Sequence, residues 1–125
     1  MGVVLGAIVP HPAIIIPEVG GRELSKVAAT REAMQILSRK IKEVEPESII
    51  IITPHGAVFR DAVSLLIEPK LRGSFAPFGA PQISHTVEND LELVQEILAV
   101  CKELDIPTVE IAADLGEQLG LGAEL

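Results

Sequence analysis

Aromatic residues are scarce in this 125-residue chain, which contains no Trp, no Tyr and three Phe. Hydrophobic residues nevertheless make up 48% of the sequence, and the mean hydropathy is +0.41. A hydrophobic core must therefore be built from aliphatic side chains and Ala. Near-continuous aliphatic runs such as residues 48–53 are typical of strands buried on both faces, which is how the strands of parallel sheets read.

Cysteine and positive charge are also scarce. Cys101 is the single cysteine, which excludes an internal disulfide and a cysteine-based zinc site and fits a reducing compartment. The net charge of −8 would repel phosphate backbones, so we expect no nucleic-acid partner. No Lys or Arg precedes Arg22, so a signal peptide's charged start is missing, and the apolar run at residues 14–16 is too short to span a bilayer. We expect a cytoplasmic protein with no membrane partner.

Aliphatic runs alternate with segments of helical spacing along the chain. The apolar runs predict strands at residues 3–9, 48–53, 62–67 and 106–111. Helical spacing predicts one helix from about Glu23 to residue 45 and a second after residue 90, whereas the Gly- and Pro-containing residues 71–85 read as loop. Alternation of this kind implies parallel strands joined by crossover helices. We expect an α/β fold, a mostly parallel sheet with helices on its faces, forming one domain over residues 1–125.

His11 and His55 each follow a predicted strand directly, and a proline precedes each of them. Ligands of open parallel sheets gather at the carboxyl ends of the strands, so two neighbouring strands would bring both imidazoles to the same edge. Imidazole binds Fe, Zn, Cu and Ni, and two His with one carboxylate are the usual ligands of non-haem Fe(II). The simpler alternative is that both histidines are ordinary surface-loop residues.

Other polar residues are weaker candidates. His85 lies in a predicted polar loop, where we expect it to be solvated. Asp61 follows His55 by six residues and would either reach the site or cap the third strand. Cys101 falls on the apolar stripe of the second helix, which favours core packing over nucleophilic chemistry. The glycines at 20–21 lack the spacing of a phosphate-binding fingerprint and are expected to lead into a helix.

Several motifs together resemble a known family. Residues 6–12 (Gly-Ala-Ile-Val-Pro-His-Pro), 17–20 (Pro-Glu-Val-Gly) and 50–56 (Ile-Ile-Ile-Thr-Pro-His-Gly) resemble the LigB-type class III extradiol ring-cleavage dioxygenases. Residues 73–79 and 89–93 are similar to the branch of that family that shares its fold with Memo, named as protein B of the AmmeMemoRadiSam system. The resemblance extends over essentially the whole chain.

This resemblance implies roles for the two histidines. His11 and His55 match the first and second metal-binding histidines of the family, which would hold Fe(II), with zinc or copper as alternatives. A later glutamate and a later Asp-His-Gly histidine, the acid/base group, would complete the site. Since neither has a counterpart here, the acid/base histidine is expected beyond Leu125, and the chain is expected to be the N-terminal half of a larger α/β domain.

The resemblance also implies a reaction, the O2-dependent cleavage of a catechol-type ring, with a small aromatic diol as substrate. The alternative is a non-catalytic, Memo-like metal-binding or scaffold protein that acts through protein partners. A third alternative is a soluble α/β fragment that is stable only as an oligomer, because an uncovered sheet edge favours association. We expect a homo-oligomer.

Overall fold

The structure, a computed structural model, describes residues 2–112 of the chain. In chain order its helices and strands are a 3-10 turn (Ala13–Ile15), α1 (Pro17–Gly20), a 3-10 helix (Gly21–Val27), α2 (Ala28–Val44), β1 (Val63–Leu66), β2 (Lys70–Phe75), a 3-10 turn (Ala76–Phe78), β3 (Ala80–Glu88), α3 (Leu91–Glu103) and β4 (Thr108–Ile111). The chain divides into two compact units. The helical unit comprises residues up to 50 together with 75–81, and the sheet unit comprises 51–74 together with the described residues from 82 onward.

A parallel pair of strands, β1 and β4, organises the sheet unit. Val63 lies opposite Thr108 and Leu66 lies opposite Ile111. Because parallel strands cannot be joined by a tight turn, the chain between them makes a long crossover that contains β2, β3 and α3. The predicted α/β class is confirmed, and so are the predicted strands near residues 62–67 and 106–111.

The crossover helix α3 begins at a side-chain cap. Oδ1 of Asp90 accepts a hydrogen bond from the backbone N–H of Leu93 at 2.9 Å, which satisfies one of the donors left unpaired at a helix start. Val94 and Cys101 are buried on one face of this helix, together with Ile111 of β4 in the small core of the unit. The predicted second helix and the packing role of Cys101 are confirmed.

The carboxyl end of α3 is closed by backbone hydrogen bonds. The N–H of Ile106 donates to the carbonyl of Cys101 at 2.8 Å, and the N–H of Asp105 donates to the carbonyl of Lys102 at 3.3 Å. Asp105 adopts a left-handed conformation with φ 55°, as the residue at this point of a Schellman motif does. This turn changes the direction of the chain between α3 and β4.

Asn89, just before α3, forms hydrogen bonds with the end of β1 and the residues that follow it. Its Nδ2 donates to the carbonyls of Leu66 at 2.9 Å and Glu68 at 3.0 Å. Its backbone N–H donates to the carbonyl of Pro69 at 2.9 Å. One half-buried side chain therefore satisfies two carbonyls, one at the last residue of the strand and one two residues beyond it.

The prediction of a loop at residues 71–85 is wrong, because β2 and β3 pair there as a two-stranded sheet. The glycines and prolines that suggested a loop occupy positions that a strand pair tolerates. Gly79 closes the connection with φ +79°, a left-handed conformation that favours glycine. Pro81 lies near the start of β3, and a strand in a two-stranded sheet has a free edge where the missing N–H costs little.

The predicted strands at residues 3–9 and 48–53 are also wrong. Within the described residues neither run pairs with another strand, and Ile8 and Ile52 are 103% and 94% exposed. An aliphatic run indicates a segment whose burial stabilises the folded state. A strand also needs a neighbouring strand to satisfy its backbone N–H and C=O groups. Without that neighbour, both runs stay extended or irregular.

The helical unit contains the predicted first helix, which begins as the 3-10 helix and continues as α2. α2 ends at Val44, and Glu45 follows it in a left-handed conformation with φ 45°. Gly20 is buried at the end of α1, where a Cβ atom would overlap the carbonyl oxygen of Ile14. As expected, the two glycines lead into a helix, since Gly21 opens the 3-10 helix with φ 49°.

Candidate functional site

His55 lies in a bend of the sheet unit between the run at 48–53 and β1, and its side chain is exposed. The backbone N–H of His55 donates to Oγ1 of Thr53 at 3.2 Å. Serine and threonine hydroxyls stabilise turns in this way, by accepting from a backbone group two residues further on. Gly56 follows with φ +89°, a conformation that favours glycine, so the chain turns sharply immediately after the histidine.

The loop that follows His55 is attached to β1 by one side chain. Oγ of Ser64 donates to the carbonyl oxygen of Ala57 at 2.5 Å. Both Ser64 and Ala57 are half-buried. The backbone of His55 is therefore constrained on both sides, by Thr53 before it and by the Ser64–Ala57 bond after it.

His11 lies in the helical unit, is exposed, and follows the apolar run at residues 3–9. Pro12 restricts the chain on its carboxyl side, with φ −73° and ψ 127°, and accepts the N–H of Ile15 at 3.2 Å to start the first 3-10 turn. The turns from residue 13 to Gly20 pack closely, as the burial of Gly20 against the backbone of Ile14 requires. His11 is thus presented at the start of a compact set of helical turns.

Other sequence candidates have plainer environments. Asp61 is exposed in the bend before β1. His85 is exposed, as expected, although it lies in β3 and not in a loop. Cys101 is buried in α3.

Imidazole is a suitable ligand for Fe(II), and both His11 and His55 are exposed residues. Across residues 2–112 there is, however, no group of three or more His, Cys, Asp or Glu that could hold a metal. The described residues could therefore supply some of the ligands of such an ion, but not a complete set of three. His11 belongs to the helical unit and His55 to the sheet unit, and their sharing of one ion stays a prediction.

Two residues of the His55 segment were not singled out from the sequence. Thr53 has a recognisable signal, since a hydroxyl two residues before a histidine in a Pro-containing turn suits a side-chain-to-backbone hydrogen bond. Ser64 has none, because its partner is seven residues away and the bond depends on how the loop returns to β1.

No helix in the described part of the chain is long and apolar enough to cross a membrane.

Comparison with known families gives one match over nearly the whole chain. The family model described as the catalytic LigB subunit of aromatic ring-opening dioxygenase matches residues 5–121. The matched region contains both histidine motifs, at residues 10–12 and 54–56.

Among curated proteins, the chain is similar to Protein CA_C1420 of Clostridium acetobutylicum. The two are 35% identical over 108 residues, which is 86% of this chain and 23% of that protein. The chain thus spans about a quarter of the length of that relative, whose name states no activity. No solved structure matches the chain significantly.

Proposed function

Since this chain belongs to the LigB family, the catalytic subunits of aromatic ring-opening dioxygenases, we propose that it supplies two metal-binding histidines to a non-haem Fe(II)-dependent extradiol dioxygenase. The observation that carries the proposal is the family match over residues 5–121, which includes His11 and His55. The family assignment supports dioxygenase chemistry with O2 and a small-molecule substrate; the extradiol position of cleavage, the metal and the ligands are our proposal.

In this proposal His11 and His55 are two of the three protein ligands, with Fe(II) as the ion and zinc or copper as alternatives. The third ligand, a carboxylate, and the histidine that acts as acid/base come from outside residues 2–112. Two features support the choice of ligands. Both imidazoles are exposed, and both follow a proline that limits the conformations of the turn presenting them.

Bound Fe(II) would supply open coordination positions at which the diol and O2 are brought together. The residues of this chain would donate two neutral nitrogens and hold them in fixed directions. For His55 the backbone that carries the imidazole is restrained by the Thr53 hydrogen bond and turns sharply at Gly56. Fixed ligands matter because ordering mobile side chains around an ion costs conformational entropy.

The substrate class we propose is a small aromatic diol of the catechol type, cleaved next to its two hydroxyl groups. We further propose that the protein works in the cytoplasm as a homo-oligomer. The family supports the choice of substrate class, the single cysteine supports a reducing compartment, and an uncovered sheet edge supports association.

The proposal is tested by oxygen consumption. Full-length protein is reconstituted anaerobically with Fe(II) and then supplied with O2 and a panel of substituted catechols. We expect substrate-dependent O2 uptake and a ring-opened product with the ultraviolet–visible absorption of a conjugated semialdehyde or acid. His11→Ala and His55→Ala are each expected to lower the rate by at least about a hundredfold, since losing a ligand removes the ion that activates both reactants.

His85→Ala is the matched control, because it removes an exposed histidine of the sheet unit that the proposal leaves without a role. It is expected to keep the wild-type rate. Stoichiometric metal binding without O2 uptake on any catechol would contradict the dioxygenase and favour the non-catalytic, Memo-like role. Equal activity of His11→Ala and wild type would refute the ligand assignment.

A further inference from the structure

Ser64 makes a contact that a strand residue does not need for sheet formation. Its hydroxyl donates to the carbonyl of Ala57, two residues after His55. Ala57 and Ser64 are both half-buried, so the bond satisfies the Ala57 carbonyl at a point where water has only partial access. The bond also has a geometric consequence, because it joins the loop after the histidine to β1.

The anchor on the β1 side belongs to a hydrogen-bonded strand pair. Ser64 lies in the middle of β1, opposite Val109 of β4 in the parallel pair. The ladder continues on both sides of it, from the N–H of Val63 to the carbonyl of Pro107 at 2.9 Å and from the N–H of Ile67 to the carbonyl of Ile111 at 3.0 Å. A group held by such a ladder is a fixed point relative to the loop.

The chain before the histidine is held as well. Thr53 accepts the backbone N–H of His55 at 3.2 Å. Between Thr53 and Ala57 only Pro54, His55 and Gly56 remain, and Pro54 has a restricted φ. The five-residue turn is therefore fastened at both ends, and His55 lies at its centre.

We propose that Ser64 is a positioning residue for His55, one that restrains the backbone carrying the imidazole through its hydrogen bond to the carbonyl of Ala57. The inference rests on the proposed function, in which His55 binds a metal. Groups that orient a metal ligand without touching the ion change affinity by about 10- to 100-fold when removed. Ser64 acts through the backbone and not through the imidazole, so an effect at the lower end of that range is expected.

The test uses Co(II) as a spectroscopic probe with full-length protein under anaerobic conditions. Co(II) affinity is measured by titration, and ligand geometry is read from the visible absorption of the bound ion. Ser64→Ala is expected to weaken Co(II) binding about tenfold and to change the absorption band. Ser64→Thr, which keeps the hydroxyl and suits a strand, is expected to restore both. Ser84→Ala in β3 is the matched control and is expected to behave as wild type.

A second measurement separates positioning from loss of fold. Amide hydrogen exchange of residues 55–62 is expected to accelerate in Ser64→Ala, while exchange in α3 and β4 stays unchanged. Unchanged exchange in residues 55–62 would overturn the inference, because the bond would then not restrain the loop.

The outcomes also separate this inference from the function on which it rests. If wild type binds Co(II) in a His55-dependent way and Ser64→Ala binds it equally well with the same spectrum, Ser64 has no positioning role and the proposed function stands. If wild type binds no Co(II), Fe(II) or zinc, the proposed function fails, and the positioning role is overturned with it.

Discussion

Two regions of this chain have similar aliphatic composition and different structures. From β1 to β4 the apolar residues form a parallel pair with a crossover helix, and Ile111 is 2% exposed. The runs at 3–9 and 48–53 are at least as apolar, yet Ile52 is 94% exposed and neither run joins a strand pair within the described residues. Composition therefore indicates which segments are stabilised by burying their side chains. Whether such a segment becomes a strand depends on a neighbouring strand that satisfies its backbone hydrogen bonds.

The first test of this comparison is the same Ile→Ala substitution made once in each region. Ile111→Ala is expected to lower the free energy of unfolding by about 2–5 kcal/mol, since it removes three methyl or methylene groups from the core and leaves a cavity. Ile52→Ala removes the same atoms from an exposed position and is expected to change it by less than about 0.5 kcal/mol. Urea denaturation followed by circular dichroism measures both.

If Ile52→Ala costs as much as Ile111→Ala, the run at 48–53 is buried in solution, and the contrast between the two regions is lost. If both substitutions change the free energy of unfolding by equally small amounts, Ile111 is not a core residue.

A smaller effect is expected from the polar contacts that complete the sheet unit. Asn89→Ala is expected to cost about 1–3 kcal/mol, because the carbonyls of Leu66 and Glu68 lose their side-chain donor in a half-buried position. Gln82→Ala, an exposed amide in β3, is the control and is expected to be neutral within about 0.5 kcal/mol. Thermal unfolding by calorimetry distinguishes the two variants, and an Asn89→Ala protein as stable as Gln82→Ala would show that water replaces these bonds at no cost.

Much of the sheet unit could be predicted from the sequence. α3 was predictable because Asp90 is a good cap and apolar residues recur with helical spacing as far as Cys101. β1 and β4 were predictable as short apolar runs bounded by Pro, Gly or charge. In these segments local preference and tertiary contacts agree, so one sequence signal suffices.

The errors have a common physical origin in strand pairing. Gly73 and Pro81 weaken the local strand signal, but β2 and β3 form because each supplies the other's hydrogen bonds. Residues 3–9 have a strong local signal and no partner strand among the described residues. Pairing depends on a second segment of the chain, and the spacing of apolar residues within one segment does not report whether that second segment is present.

The candidate histidines could be predicted from the sequence, whereas the hydrogen bonds that restrain the backbone around them could not. Proline-flanked His11 and His55 after aliphatic runs were visible in the sequence. The bond from Ser64 to Ala57 was not, because it depends on the path of the loop back to β1. A residue such as Ser64 can be proposed as a positioning group only from the structure, because its chemistry is ordinary and only its placement is informative.

The central claim is that His11 and His55 bind one common ion, and the most direct measurement is metal stoichiometry. Full-length wild type, His11→Ala, His55→Ala and the double variant are reconstituted anaerobically with Fe(II), desalted and analysed for iron per chain. A shared site predicts about one iron in wild type and a nearly complete loss in each single variant, with no further loss in the double variant. Two irons per wild-type chain, with one lost in each single variant and both lost only in the double variant, would contradict it.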